Sequence, residues 1–137
     1  MDSATTKLTY GSVVTTKLPY AEAIERTKAL LKEEGFGVLC EIDVAKTMKE
    51  KIGADFRPYV ILGACNPQFA HQALSQEDQL GLLLPCNVVV QQGAAGTLVS
   101  AIDAQAMLGI VGNPEMTPVA QEVNARLGRV LERIAAA

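Results

Sequence analysis

The apolar run of residues 57–65 ends on Asn66-Pro67, and this junction constrains the fold more than any other segment. Asparagine is a favoured helix N-cap because its side-chain oxygen takes an unpaired backbone N–H, and proline suits the first helical position. A strand must therefore give way to a helix within one residue. Pro58 sits at the strand's beginning, where a missing donor is tolerated. The helix is expected to run to about Leu74 or Ser75.

Similar punctuation recurs along the chain. Residues 5–18 alternate, with Leu8, Tyr10, Val14 and Leu18 on one parity, and read as one long strand with a half-buried face. Pro19 opens a helix that Gly35 stops as a left-handed cap. Phe36, Val38, Cys40 and Ile42 follow at period two, a second strand. Asp43 can cap a short helix with Val44, Met48 and Ile52 on its inner side. Residues 82–92 read as a strand interrupted by Pro85, residues 93–96 as a tight turn, and residues 97–102 as the strand returning from it. Asp103 caps another short helix. The last helix begins near Pro118 and presents Val119, Val123, Leu127 and Ile134 on one side. About five strands and several helices, with no repeat or linker, predict one α+β domain over residues 1–137.

Bulk properties narrow the function classes. A chain of 137 residues can bury a core without disulfide staples. Aromatic content of 4%, no tryptophan and a net charge of −3 argue against nucleic acid as a partner. No apolar run approaches a membrane span, so no membrane association is expected. The threonine-rich, lysine-broken beginning lacks a signal-peptide core, and three cysteines leave one unpaired in any monomeric disulfide scheme. A reduced, cytoplasmic protein is the expectation.

The candidate chemistry lies at two Cys-Asn pairs, Cys65-Asn66 before Pro67 and Cys86-Asn87 after Pro85. Cys65 is the last strand residue before a capped helix, where a helix dipole can favour the thiolate. It can equally close an apolar face with Tyr59 and Ile61. Cys86 follows a proline that cannot join a sheet ladder, the mark of an edge or bulge, and bulges often adjoin functional sites. It can also be core, in step with Val88 and Val90. Cys40 shares parity with Phe36, Val38 and Ile42 and is expected in the core. His71, the single histidine, lies six residues beyond Cys65 and is expected to be solvated rather than a base or ligand there. Glu41 and Asp43 share one strand face, where paired carboxylates can do acid–base work, although helix capping by Asp43 is the commoner use. Without a Cys-x-x-Cys pair or a second histidine, neither a metal nor a cofactor is expected. No phosphate loop or nucleophile elbow is present.

Several blocks resemble a known family: Glu34-Gly35-Phe36-Gly37-Val38-Leu39 with Glu41-Ile42-Asp43-Val44, then Arg57-Pro58-Tyr59-Val60-Ile61-Leu62-Gly63-Ala64-Cys65-Asn66-Pro67, then Ala70-His71, and Gly81-Leu82-Leu83-Leu84-Pro85-Cys86-Asn87-Val88-Val89-Val90. Over residues 10–134 the chain is similar to the bacterial and archaeal domain of unknown function 302. The resemblance implies a curved, mainly antiparallel sheet with helices on one face, like that of the TATA-binding protein, and frequent homodimers. It implies no activity. The chain departs from the family's usual pattern at Cys40, at Asp103-Ala104 and in the turn of residues 91–96. Two functions stay open. One is a small-molecule-binding or structural homodimeric module; the other is a thiol-dependent protein, redox-responsive or nucleophilic, using Cys65 and Cys86.

Overall fold

A computed structural model describes residues 5–137; residues 1–4 lie outside the described residues. The strands are β1 (Thr5–Lys7), β2 (Gly11–Thr16), β3 (Gly37–Asp43), β4 (Tyr59–Cys65), β5 (Cys86–Gln92) and β6 (Thr97–Ile102). They form one antiparallel sheet in the order β1-β2-β6-β5-β4-β3, not closed into a barrel. The helices are α1 (Tyr20–Glu33), α2 (Val44–Ile52), α3 (Pro67–Gln76), α4 (Ala104–Gly109) and α5 (Thr117–Ala135). The mixed α+β class read from the sequence holds.

Alternation of burial shows which side of the sheet the helices cover. Cys86, Val88 and Val90 of β5, and Thr97, Val99 and Ala101 of β6, are buried, while their alternates are not. Paired residues share a face, so Val60, Leu62 and Ala64 of β4 join them through Val90, Val88 and Cys86. Helix α5 packs here with α1, burying Val119, Ala120, Val123, Leu127, Val130, Leu131 and Ile134. Each large aliphatic side chain so buried contributes about 1.5–3 kcal/mol. Across the α1–α5 seam, Arg129 grips the Glu34 carboxylate with two hydrogen bonds at 3.0 and 2.8 Å, and Arg133 meets Glu33 at 2.7 Å. Exposed ion pairs contribute little to stability, so it is the apolar stripe that holds the helix.

The structure corrects four expectations. Residues 5–18 are a hairpin, β1 and β2, closed by the Leu8 N–H donating to the Gly11 carbonyl at 2.7 Å. Period-two spacing continues unbroken through residues 8–11, so the pattern hides the reversal. Cys40 is exposed rather than core. A bulge between Val38 and Cys40 pairs Val38 with Ala64 but Cys40 with Gly63, which moves Cys40 and Ile42 to the uncovered face and sets Glu41 and Asp43 on the helix side of the sheet edge, where both stay exposed. Helix α2 buries none of its residues, and Ile52 is 72% exposed instead of facing inward. Finally, residues 78–83 form a 3-10 turn and β5 begins only at Cys86, because Pro85 has no N–H to give the ladder.

Candidate functional site

The two Cys-Asn pairs are brought together. Strands β4 and β5 are neighbours with Ala64 opposite Cys86, so Cys65 and the Pro85-Cys86 step lie at one end of the sheet. Asn66 caps α3 as its type predicts: its Oδ1 accepts from the backbone N–H of Gln68 at 3.1 Å and of Phe69 at 3.2 Å. The cap fixes the turn between Cys65 and α3. Gly35 completes it from the other side. Its φ of 86° is left-handed, and a Cβ there would stand 2.9 Å from the Asn66 Nδ2, so no other residue lets α1 end so close to the cap.

Between this sheet end and the helices lies a cleft of about 310 Å³. Its walls are apolar: Phe36, Phe69, Leu80, Leu84, Met107 and Val123, with Cys65, Pro85 and Cys86 at the strand ends. No charged residue among the described ones lines it. Arg126 stands behind Phe69, its guanidinium 5.0 Å from the ring centroid, while its Nη1 donates to the Glu34 carbonyl at 2.9 Å. That contact ties the cleft wall to the end of α1.

Neither cleft thiol is activated. Burial pushes Cys65 up, and burial with the neighbouring Cys65 pushes Cys86 up to about 11. A nucleophile or fast-exchanging thiol needs the opposite shift. Both stay protonated at neutral pH, which removes the physical support for a thiolate at the strand end.

The remaining sequence-predicted residues scatter. His71 is exposed and absent from the cleft; its carbonyl accepts from the Ser75 hydroxyl at 2.7 Å. Pro67 is exposed at the start of α3. Asp43 caps α2, its Oδ1 accepting from the Lys46 N–H at 2.9 Å, and Glu41 forms an ion pair with Lys28. The carboxylates are thus engaged structurally, at the far edge of β3. Among the described residues no group of three or more His, Cys, Asp or Glu is placed to hold a metal ion. None of the described helices is long and apolar enough to cross a membrane.

Sequence reasoning missed the cleft's body. Leu80, Leu84 and Met107 lie in segments read as loop, strand and short helix, and nothing local says they converge. The usable signal was Gly81 before Leu82-Leu83-Leu84-Pro85, an apolar run that a proline keeps out of the sheet.

Comparison with known proteins agrees with this architecture. Residues 12–134 match the family described as Domain of unknown function DUF302. A crystal structure of an uncharacterized conserved DUF302 protein from Bacillus stearothermophilus is similar at 35% sequence identity and a TM-score of 0.85, covering 90% of this chain and 97% of that one. No curated protein matches. Sequence match and superposable fold each extend over most of the chain, and the chain belongs to the DUF302 family.

Proposed function

We propose that this domain is a small-molecule-binding module whose site is the cleft bordered by Cys65, Pro85 and Cys86. The carrying observation is a concave, charge-free space of about 310 Å³ walled by aromatic and aliphatic side chains. That volume lies at the lower end of the range for ligand pockets, and apolar walls with few polar groups are their usual composition. The thiols act as soft wall atoms in this reading, since both are held protonated. The test uses N-phenyl-1-naphthylamine, an uncharged fluorophore. Saturable one-to-one binding is expected, and Ala70→Phe should abolish it by filling the cleft from a half-buried position on α3. Unchanged binding in a folded Ala70→Phe protein, or none in the wild type, refutes the reading.

The module works as a homodimer joined through the uncovered sheet face. A cross-strand row of Ile42, Ile61, Val89, Ser100 and Val13 runs over that face, and none of the five is fully buried. Light scattering should give twice the chain mass, reduced to the chain mass by Ile61→Lys. A wild-type monomer at high micromolar concentration sinks this part.

A further inference from the structure

The cleft does not end at Pro85. On the other side of a ridge made by Leu84, Pro85 and Met107 lies a trough of about 380 Å³, and these three residues line both spaces. The trough's outer walls are Leu82, 83% exposed, and Ile110, 76% exposed. Leu39 and Ile52 are almost as exposed singly elsewhere, but Leu82 and Ile110 line one trough together, and contiguous exposed apolar surface is what marks a binding site. Among the described residues no charged one lines the trough either. Its polar groups are Tyr10 and Asn87, both exposed and both uncharged. The opposite end, deep in the cleft, is closed by Phe36, Leu80 and Val123.

A gradient therefore runs from a closed apolar end, over an apolar ridge, to a neutral hydrogen-bonding end. A space of about 280 Å³ on the uncovered sheet face shares Tyr10, Asn87 and Ile102 with the trough, whereas the cavity of about 400 Å³ beside β2 and α5 is different in kind: Lys7, Asp103 and Glu132 line it.

We propose that cleft and trough together hold one extended, uncharged amphiphile, its aliphatic tail in the cleft and a neutral hydroxyl, ester or amide head at Tyr10 and Asn87. This rests on the small-molecule reading above and adds the ligand's length, charge and direction. A charged head is disfavoured because no charged residue among the described ones lines either space, so the part of its hydration lost on docking is not replaced by a counter-ion. A compact ligand would fill the cleft and leave Leu82 and Ile110 bare.

The test is displacement of N-phenyl-1-naphthylamine by straight-chain 1-alkanols from six to sixteen carbons, chosen to bracket the cleft alone and cleft plus trough. Each buried methylene is expected to tighten binding about fourfold. The gain should continue in the wild type beyond the length at which it stops in Leu82→Asp/Ile110→Asp. Both side chains are exposed, so that double variant should fold. The matching fatty acids, ionised at pH 8, should bind at least tenfold more weakly than the alkanols. Equal chain-length plateaus in wild type and variant overturn the extended ligand while leaving the cleft reading standing. Fatty acids binding as tightly as alkanols overturn the neutral head. Displacement by no alkanol of any length overturns the cleft reading as well.

Discussion

Gly63 is the point at which edge strand, sheet and cleft wall meet, and Gly63→Ala tests that geometry. It pairs with Cys40 on one side and Asn87 on the other. A Cβ there would stand 2.6 Å from the Cys40 Sγ and 2.9 Å from the Pro85 Cγ, against an ordinary carbon contact of about 3.5–4.0 Å. The two neighbours differ in what they can yield. Cys40 is exposed and turns about one torsion, so moving its sulfur costs about 0.5–1.5 kcal/mol. The Pro85 ring has no rotamer to change, and pushing it back costs about 1–3 kcal/mol as overpacking. Alanine returns about 0.5–1 kcal/mol over glycine in a strand interior. The net expectation is a loss of about 2 kcal/mol within bounds of about 0.5–4, read in urea as a midpoint lowered by about 1 M at an unchanged slope. Adding Cys40→Ala should recover only the smaller, sulfur part. The fluorophore should bind more weakly, because Pro85 lines the cleft. A Gly63→Ala protein as stable as the wild type would show that the proline ridge yields freely. Full rescue by Cys40→Ala would place the whole obstruction at the sulfur.

Three further outcomes can be checked. Asp103 is held below the ordinary carboxylate range, first by the Asn124 side chain and then by the Ala106 and Gln105 N–H groups it caps. A lowered carboxyl stabilises the fold above its unfolded value near 3.8 and loses that contribution as pH falls through the folded value. Asp103→Ala should therefore cost about 1–2 kcal/mol at pH 7, with the difference from wild type closing below about pH 4 in urea melts; a constant gap across pH would refute the electrostatic part. Cys86 has the opposite sign. Its thiol, raised from 9.0 to about 11, favours the folded state below pH 9, and that contribution should fade as pH rises from 9 towards 11. The native protein should react with Ellman's reagent first at exposed Cys40 and last at Cys86, which rapid labelling of Cys86 at pH 7 would contradict.

What the sequence disclosed and what it hid divide along local and non-local lines. Caps were legible because Asn66, Asp43 and Asp103 each act within three residues of themselves. The amphipathic stripe of α5 was legible for the same reason. The bulge after Val38 was not, since it depends on which residue of β4 stands opposite. One extra residue there moved Cys40 out of the core and set Glu41 and Asp43 on the helix side of the sheet edge. The site was legible in part. Proline and cysteine marked the strand ends correctly, whereas the cleft itself is made by helices that meet only after the sheet is assembled. The thiols' protonation likewise follows from burial, which no dipeptide reports.

Strand order also carries a consequence for how the chain is made. From β3 to β6 each strand lies beside its sequence neighbour, so this part of the sheet can grow as the chain lengthens. Strand β2 is different: Gly11 pairs with Ile102, about two-thirds of the chain away. Closing so long a loop is entropically unfavourable until the other contacts are in place. On the ribosome, the N-terminal hairpin and α1 are therefore expected to wait, with Leu30 and Leu31 wet, until β6 and α5 have emerged. Residues translated first would be among the last to find their places.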